Sequence, residues 1–147
     1  MRKQKPSKPD FRKQILVLSA ALDDFGYDLV QETDAEDRVE FEEVSTVFID
    51  SRCHPETRFY TILHEIGHIL ISQQEDVFKS NHPMYVHASG CRARSSGAYK
   101  VSLIAEEIEA WKMGRQFGKS LGLYIDDNKY NKHMTESVMS YITWAGE

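Results

Sequence analysis

The stretch Arg58-Phe-Tyr-Thr-Ile-Leu-His-Glu-Ile-Gly-His-Ile-Leu-Ile71 decides how the rest of the chain reads. Phe59, Ile62, Leu63, Ile66, Ile69 and Leu70 recur three and four apart, the period of a helix with a broad buried face. Pro55 suits the first turn of that helix, because the amide proton it lacks has no intrahelical partner there, and the Ser51 or Cys53 region forms the entry. His64 and His68 stand four apart and therefore share one face, with two imidazoles close enough to hold a single ion. Glu65 sits one residue on, at the rim of that face. Gly67 costs a helix interior about 1 kcal/mol relative to alanine, so a neighbouring backbone or a substrate strand is expected to lie against it.

Upstream, Phe11, Ile15, Leu18, Leu22 and Phe25 keep helical spacing, and Gly26 follows where a helix end commonly needs a left-handed residue. Tyr27 to Val30 reads as a short strand and Gln31 to Arg38 as a polar, acidic turn region. Val39 to Val44 and Ser45 to Ile49, rich in Val and Phe and closed by Asp50, read as a hairpin or a bulged strand pair. Downstream, residues 75–100 show no sustained period and contain Asn81-His-Pro83, Ser89-Gly90 and Ser95-Ser-Gly97. They are expected to form a long loop, with a brief strand at Met84 to His87. Val101 to about Leu121 is a third helix ending at Gly122. Asp126 or Asp127 caps a last helix whose buried stripe is Tyr130, Met134, Val138, Tyr141 and Ile142. The order implies an α+β fold, a small mixed or antiparallel sheet packed on the motif helix and further helices.

At 147 residues the chain has the size of one domain, and 41% apolar with 28% charged residues is too apolar for a disordered one. Residues 1–10 read as a flexible basic tail and 11–147 as a single domain. The net charge of -5 argues against a dedicated nucleic-acid binder, since phosphate neutralisation needs a surplus of Lys and Arg. A DNA arm at the basic start is the weaker alternative to a solvated tail. Cys53 and Cys91 form no disulfide framework, and the apolar runs Ile15 to Leu18 and Ile69 to Ile71 fall far short of the roughly 20 residues a membrane helix needs. The basic start leads into Lys, Pro, Ser and Asp rather than an apolar signal segment, so the expected location is cytoplasmic, with no membrane partner.

Two histidines with an intervening glutamate on one helical face match the arrangement in which zinc is held by the imidazoles. The glutamate then takes a proton from the attacking water and passes it to the leaving amine. Zinc supplies the acidity, lowering the pKa of a bound water towards about 7. A catalytic zinc site has three protein ligands and one position for water, so a third donor is required. Glu106, Glu107 and Glu109 on the third helix are the candidates. Glu107 shares a stripe with Leu103, Ala110, Gly114 and Phe117, where the small residues let helix backbones approach. Glu106 and Glu109 align with Ser102, Lys112 and Met113 on a polar face expected to point to water. The metal ligands are therefore expected to be His64, His68 and Glu107, with Glu65 as catalytic base. A structural zinc would call for four closed ligands rich in Cys, which the chain lacks.

Other residues keep two readings. His82, His87, Tyr85 or Tyr99 would steady the oxyanion of the reaction, or are solvated side chains. Arg92 and Arg94 contact substrate or solvent. His54 and His133 have no assigned part, and Trp111 and Trp144 read as core or helix-packing residues.

With these residues in place, the chain resembles the ImmA/IrrE family of zinc metallopeptidases. The likeness spans about residues 40–122: the motif His64-Glu-Ile-Gly-His68, the strand-like Val44 to Asp50 before it, and Glu107-Ile-Glu-Ala-Trp111 in place of that family's Glu-x-x-Ala-Asn segment. The resemblance implies that Glu107 is the third zinc ligand and that the fold is zincin-like. It also implies a protein substrate such as a transcriptional repressor, or another regulator of phage, mobile-element or stress genes. Trp111 stands where Asn is usual, and Lys112-Met-Gly-Arg-Gln-Phe-Gly118 replaces the family's small-residue run, which marks a divergent branch. The expectation is a zinc metalloendopeptidase. The alternative is a zinc-containing protein that grips a regulator without cutting it.

Overall fold

A computed structural model describes residues 8–33, 35–41, 45–74, 76 and 97–147. Helix α1, Phe11–Phe25, is capped by the Asp10 side chain, which accepts from the Lys13 amide at 3.3 Å. Residues 1–7 lie outside the described residues. The helix ends at Gly26, whose φ of +83° is the left-handed conformation that glycine adopts without steric cost.

Strands β1 (Asp28–Glu32), β2 (Arg38–Glu40) and β3 (Thr46–Asp50) form a mixed sheet in the order β1-β3-β2. Central β3 runs parallel to β1, with Leu29 opposite Val47, and antiparallel to β2, with Val39 opposite Val47. The antiparallel pairing of the expected hairpin is present, but Gln31 and Glu32 extend β1 instead of turning, and Asp50 lies within β3. Backbone pairing with β3 decides this, because polar side chains on an edge strand can face solvent while their amides join the ladder. Val47 and Ile49 alternate onto the helix-covered face and are fully buried.

Helix α2, Pro55–Gln73, is the hub of the fold, with ten buried residues on nearly all sides. Its cap is His54, whose Nδ1 accepts from the Glu56 amide at 3.3 Å, with Pro55 next. Helix α3, Gly97–Ser120, begins four residues before the expected Val101. Residues 77–96, which hold the expected brief strand together with His82, Tyr85, His87, Cys91, Arg92 and Arg94, lie outside the described residues. Helix α4, Asp127–Ala145, is capped by Asp126 through the Lys129 amide.

Two glycines set how closely α2 and α3 pack. A Cβ on Gly67 would stand 1.9 Å from the Ala110 carbonyl oxygen, and one on Gly114 would stand 2.0 Å from that of Leu63. The core joins Leu18 and Leu22 of α1 to Val47 and Ile49, to Phe59, Tyr60, Ile62, Leu63, Ile66 and Ile69 of α2, and to Trp111 and Tyr130. Tyr60 ties α2 to the start of α4, donating to Glu56 at 2.7 Å and accepting from the Asp126 amide at 3.1 Å. In α4 only Tyr130 of the expected stripe is fully buried, with Met134 and Val138 packed against the core. Ile142 and Trp144 are exposed at 44% and 37%, although the Ala145 carbonyl accepts from Lys100 Nζ at 3.1 Å and ties the end of α4 to the start of α3. No helix among the described residues is long and apolar enough to cross a membrane.

Candidate metal centre

Helix α2 carries His64 and His68 one turn apart, and α3 lies across it at the distance fixed by Gly67 and Gly114. The contact brings the Glu107 carboxylate between the two rings. His64 Nε2 is 2.8 Å from Glu107 Oε2, His68 Nε2 is 2.9 Å from Glu107 Oε1, and the two Nε2 atoms are 3.1 Å apart. Two donors on a tetrahedral zinc with bonds near 2.0–2.1 Å stand about 3.3 Å apart. The three donor groups therefore already form a triangle of the right size and need to spread by only a few tenths of an ångström. His64, Glu65 and His68 also offer donor atoms within 4.8 Å of one another. Glu107 is closer to both imidazoles than Glu65 is to His64, where the separation is 3.6 Å. Glu107 thus stands closer to the two imidazoles than Glu65, which flanks them.

Burial sharpens the electrostatics, since His64, Glu65 and Glu107 are each 8% exposed or less. Burial disfavours the His68 imidazolium, yet hydrogen bonds to Glu106 and Glu107 and the nearby Glu65 outweigh it and lift its pKa to about 10. Burial likewise opposes ionisation of Glu107, but its bonds to His64 and His68 prevail and bring it to about 2. Glu65 shows the opposite balance. Its desolvation exceeds the pull of the two histidines and raises it above the ordinary carboxylate range.

Glu106 corrects the sequence reading. It does not point to water: its Oε1 lies 3.3 Å from His68 Nδ1, and its side chain is only 17% exposed. Adjacent helical positions differ by about 100°, so when α3 approaches this closely, a residue flanking the contact stripe also reaches the histidine. Trp111 is buried as expected of a core residue, and it also stacks on His64 with ring centroids 4.3 Å apart and an 8° interplanar angle.

A cavity of about 370 Å³ opens beside Glu65 and Glu107. Its other walls include Asp37 from the segment before β2, and His133 and Tyr141 from α4. Burial raises the pKa of the Tyr141 hydroxyl, and the negative charge of nearby Glu107 raises it further. Tyr141 and His133 were legible only as positions on a last helix, because nothing local in the sequence says that α4 returns over the motif. Of the earlier oxyanion candidates, Tyr99 is half-buried in the first turn of α3.

No protein-family model, curated protein or solved structure matches the chain.

Proposed function

We propose that this chain is a zinc-dependent metallopeptidase that hydrolyses a peptide bond in a protein substrate, on a zincin-like scaffold. The observation that carries the reading is the meeting of His64 Nε2, His68 Nε2 and the Glu107 carboxylate beside a cavity. The resemblance of the motif region to ImmA/IrrE peptidases adds the class of substrate, a transcriptional repressor or a related regulator encountered in the cytoplasm.

His64, His68 and Glu107 would hold the ion, which when bound supplies Lewis acidity and brings a water's pKa to about 7. Glu65 lies among them with a raised pKa, suited to accept the proton of the attacking water and return it to the leaving amine nitrogen. Glu106 accepts from the Nδ1–H of His68, which fixes the tautomer that presents Nε2 to the ion. Trp111 holds the His64 ring plane.

Cells expressing the parent protein or Glu65→Gln can be compared for newly formed protein N-termini. The expected result is a set of cleavages present with the parent and missing with the variant. Equal cleavage by both refutes the role of Glu65. A stable complex with a regulator and no fragment favours the gripping alternative.

A further inference from the structure

Next to the metal cavity lies a second hollow of about 280 Å³, lined by Leu103, Ser140, Tyr141 and Trp144. Its described wall is mainly apolar, and Tyr141 belongs to both spaces. Leu103 precedes Glu107 by four residues on α3, so one helical turn, about 6 Å, separates its position from that of the third ligand along the helix axis. Tyr141 and Trp144 lie three apart on α4 and form the facing wall. Tyr141 also lines the cavity at the centre, together with Glu65 and Glu107. A group seated at the metal centre therefore has an apolar recess within the reach of a single side chain.

Resting on the peptidase reading above, we infer that the hollow between Leu103, Tyr141 and Trp144 is a specificity pocket that receives a bulky apolar side chain next to the scissile bond. The occupant follows from continuity with the centre. A peptide whose carbonyl lies beside Glu65 and Glu107 must send the side chain of a neighbouring residue somewhere, and the recess adjoining Tyr141 is apolar and of side-chain scale. The main cavity is different in character: Asp37, Glu65, Glu107 and Glu136 line it, with no Lys or Arg among its described walls. Apolar selectivity is thus assigned to the Leu103 and Trp144 side of Tyr141, and not to the cavity as a whole.

Two zinc-chelating probes with one headgroup, glycine hydroxamate and leucine hydroxamate, separate this inference from the reading it rests on. On the zinc-loaded parent, calorimetry is expected to give about tenfold or more tighter binding of the leucine probe, within the range that side-chain contacts in an apolar pocket provide. Leu103→Trp, which fills the recess, is expected to collapse the ratio of the two affinities towards one. Trp144→Ala, at an exposed position that tolerates truncation, is expected to reduce it as well. Equal affinity of the two probes for the parent, or an unchanged ratio in both folded variants, overturns the pocket while leaving the metal centre standing. Binding of neither probe to the zinc-loaded parent overturns the peptidase reading and the pocket with it.

Discussion

At the scale of single residues, the centre is a balance between burial and pairing. Burial alone would strip the charge from His68 and from Glu107, yet Glu106 and Glu107 favour the charged form of His68, and His64 and His68 favour that of Glu107. Because the pKa of His68 is raised from 6.5 to about 10, its pairing stabilises the metal-free protein fully below about pH 6.5, and that contribution is lost as pH rises through about 10. Glu107, lowered from 4.5 to about 2, contributes above about pH 4.5 and loses its contribution as pH falls through about 2. An arriving cation must displace the proton on His68, so zinc affinity is expected to rise with pH across neutrality. Calorimetry at pH 7 in buffers of different ionisation enthalpy should register release of about one proton per zinc. Release of none would show that His68 is already neutral, contrary to this pairing. In the same titration Glu106→Ala is expected to bind zinc about 10–100-fold more weakly, as for other carboxylates that hold a ligating histidine. An unaltered affinity would remove Glu106 from the site. The Glu106 contact was not visible from the helical stripe, which separates faces but does not say how far round each face the neighbouring helix reaches.

Among the elements, the contact of α2 with α3 matters most. The sequence announced both partners, through the apolar period of residues 59–70 and the stripe of Glu107, Ala110 and Gly114. It also indicated that something must lie against Gly67, and the Ala110 carbonyl does. Gly67→Ala would gain about 1 kcal/mol of helix propensity. It would also force a methyl group onto a backbone oxygen that no rotamer change can move aside, and overpacking of a tight interior costs about 1–3 kcal/mol or more. The expected outcome is a less stable protein by urea unfolding, together with weaker zinc binding because α3 carries Glu107 away. A stabilised variant with parental zinc affinity would mean that the two helices are not held at this spacing. The sheet was less legible. Parallel pairing of β1 with β3 joins residues far apart in sequence, and three- to five-residue strands carry too few alternations to fix their order. The start of α3 was missed because Gly97 and its neighbours lack the apolar spacing that betrays a helix.

Over the whole molecule, α4 is the element that turns a bare motif into a site. It brings His133 and Tyr141 over the centre and walls both hollows, held through Asp126 to Tyr60 and through the Tyr130 hydroxyl to the Trp111 carbonyl. The sequence showed the helix but not its course, since Tyr141 was legible only as one of a stripe of large residues. Class of fold, motif helix and the placement of Glu107 on the side of α3 that meets α2 could be read from local periodicity. The cavity, the Glu106 contact and the Trp111 stack depend on tertiary placement, which periodicity does not encode. The proposed activity depends on one ion being shared between α2 and α3. The most direct measurement is zinc content by elemental mass spectrometry after dialysis, on the parent, Glu65→Gln and Glu107→Ala, with circular dichroism to confirm folding. About one zinc per chain is expected in the parent and in Glu65→Gln, and loss of tightly held zinc in folded Glu107→Ala. A parent without zinc, or a Glu107→Ala protein that keeps it undiminished, would contradict the account.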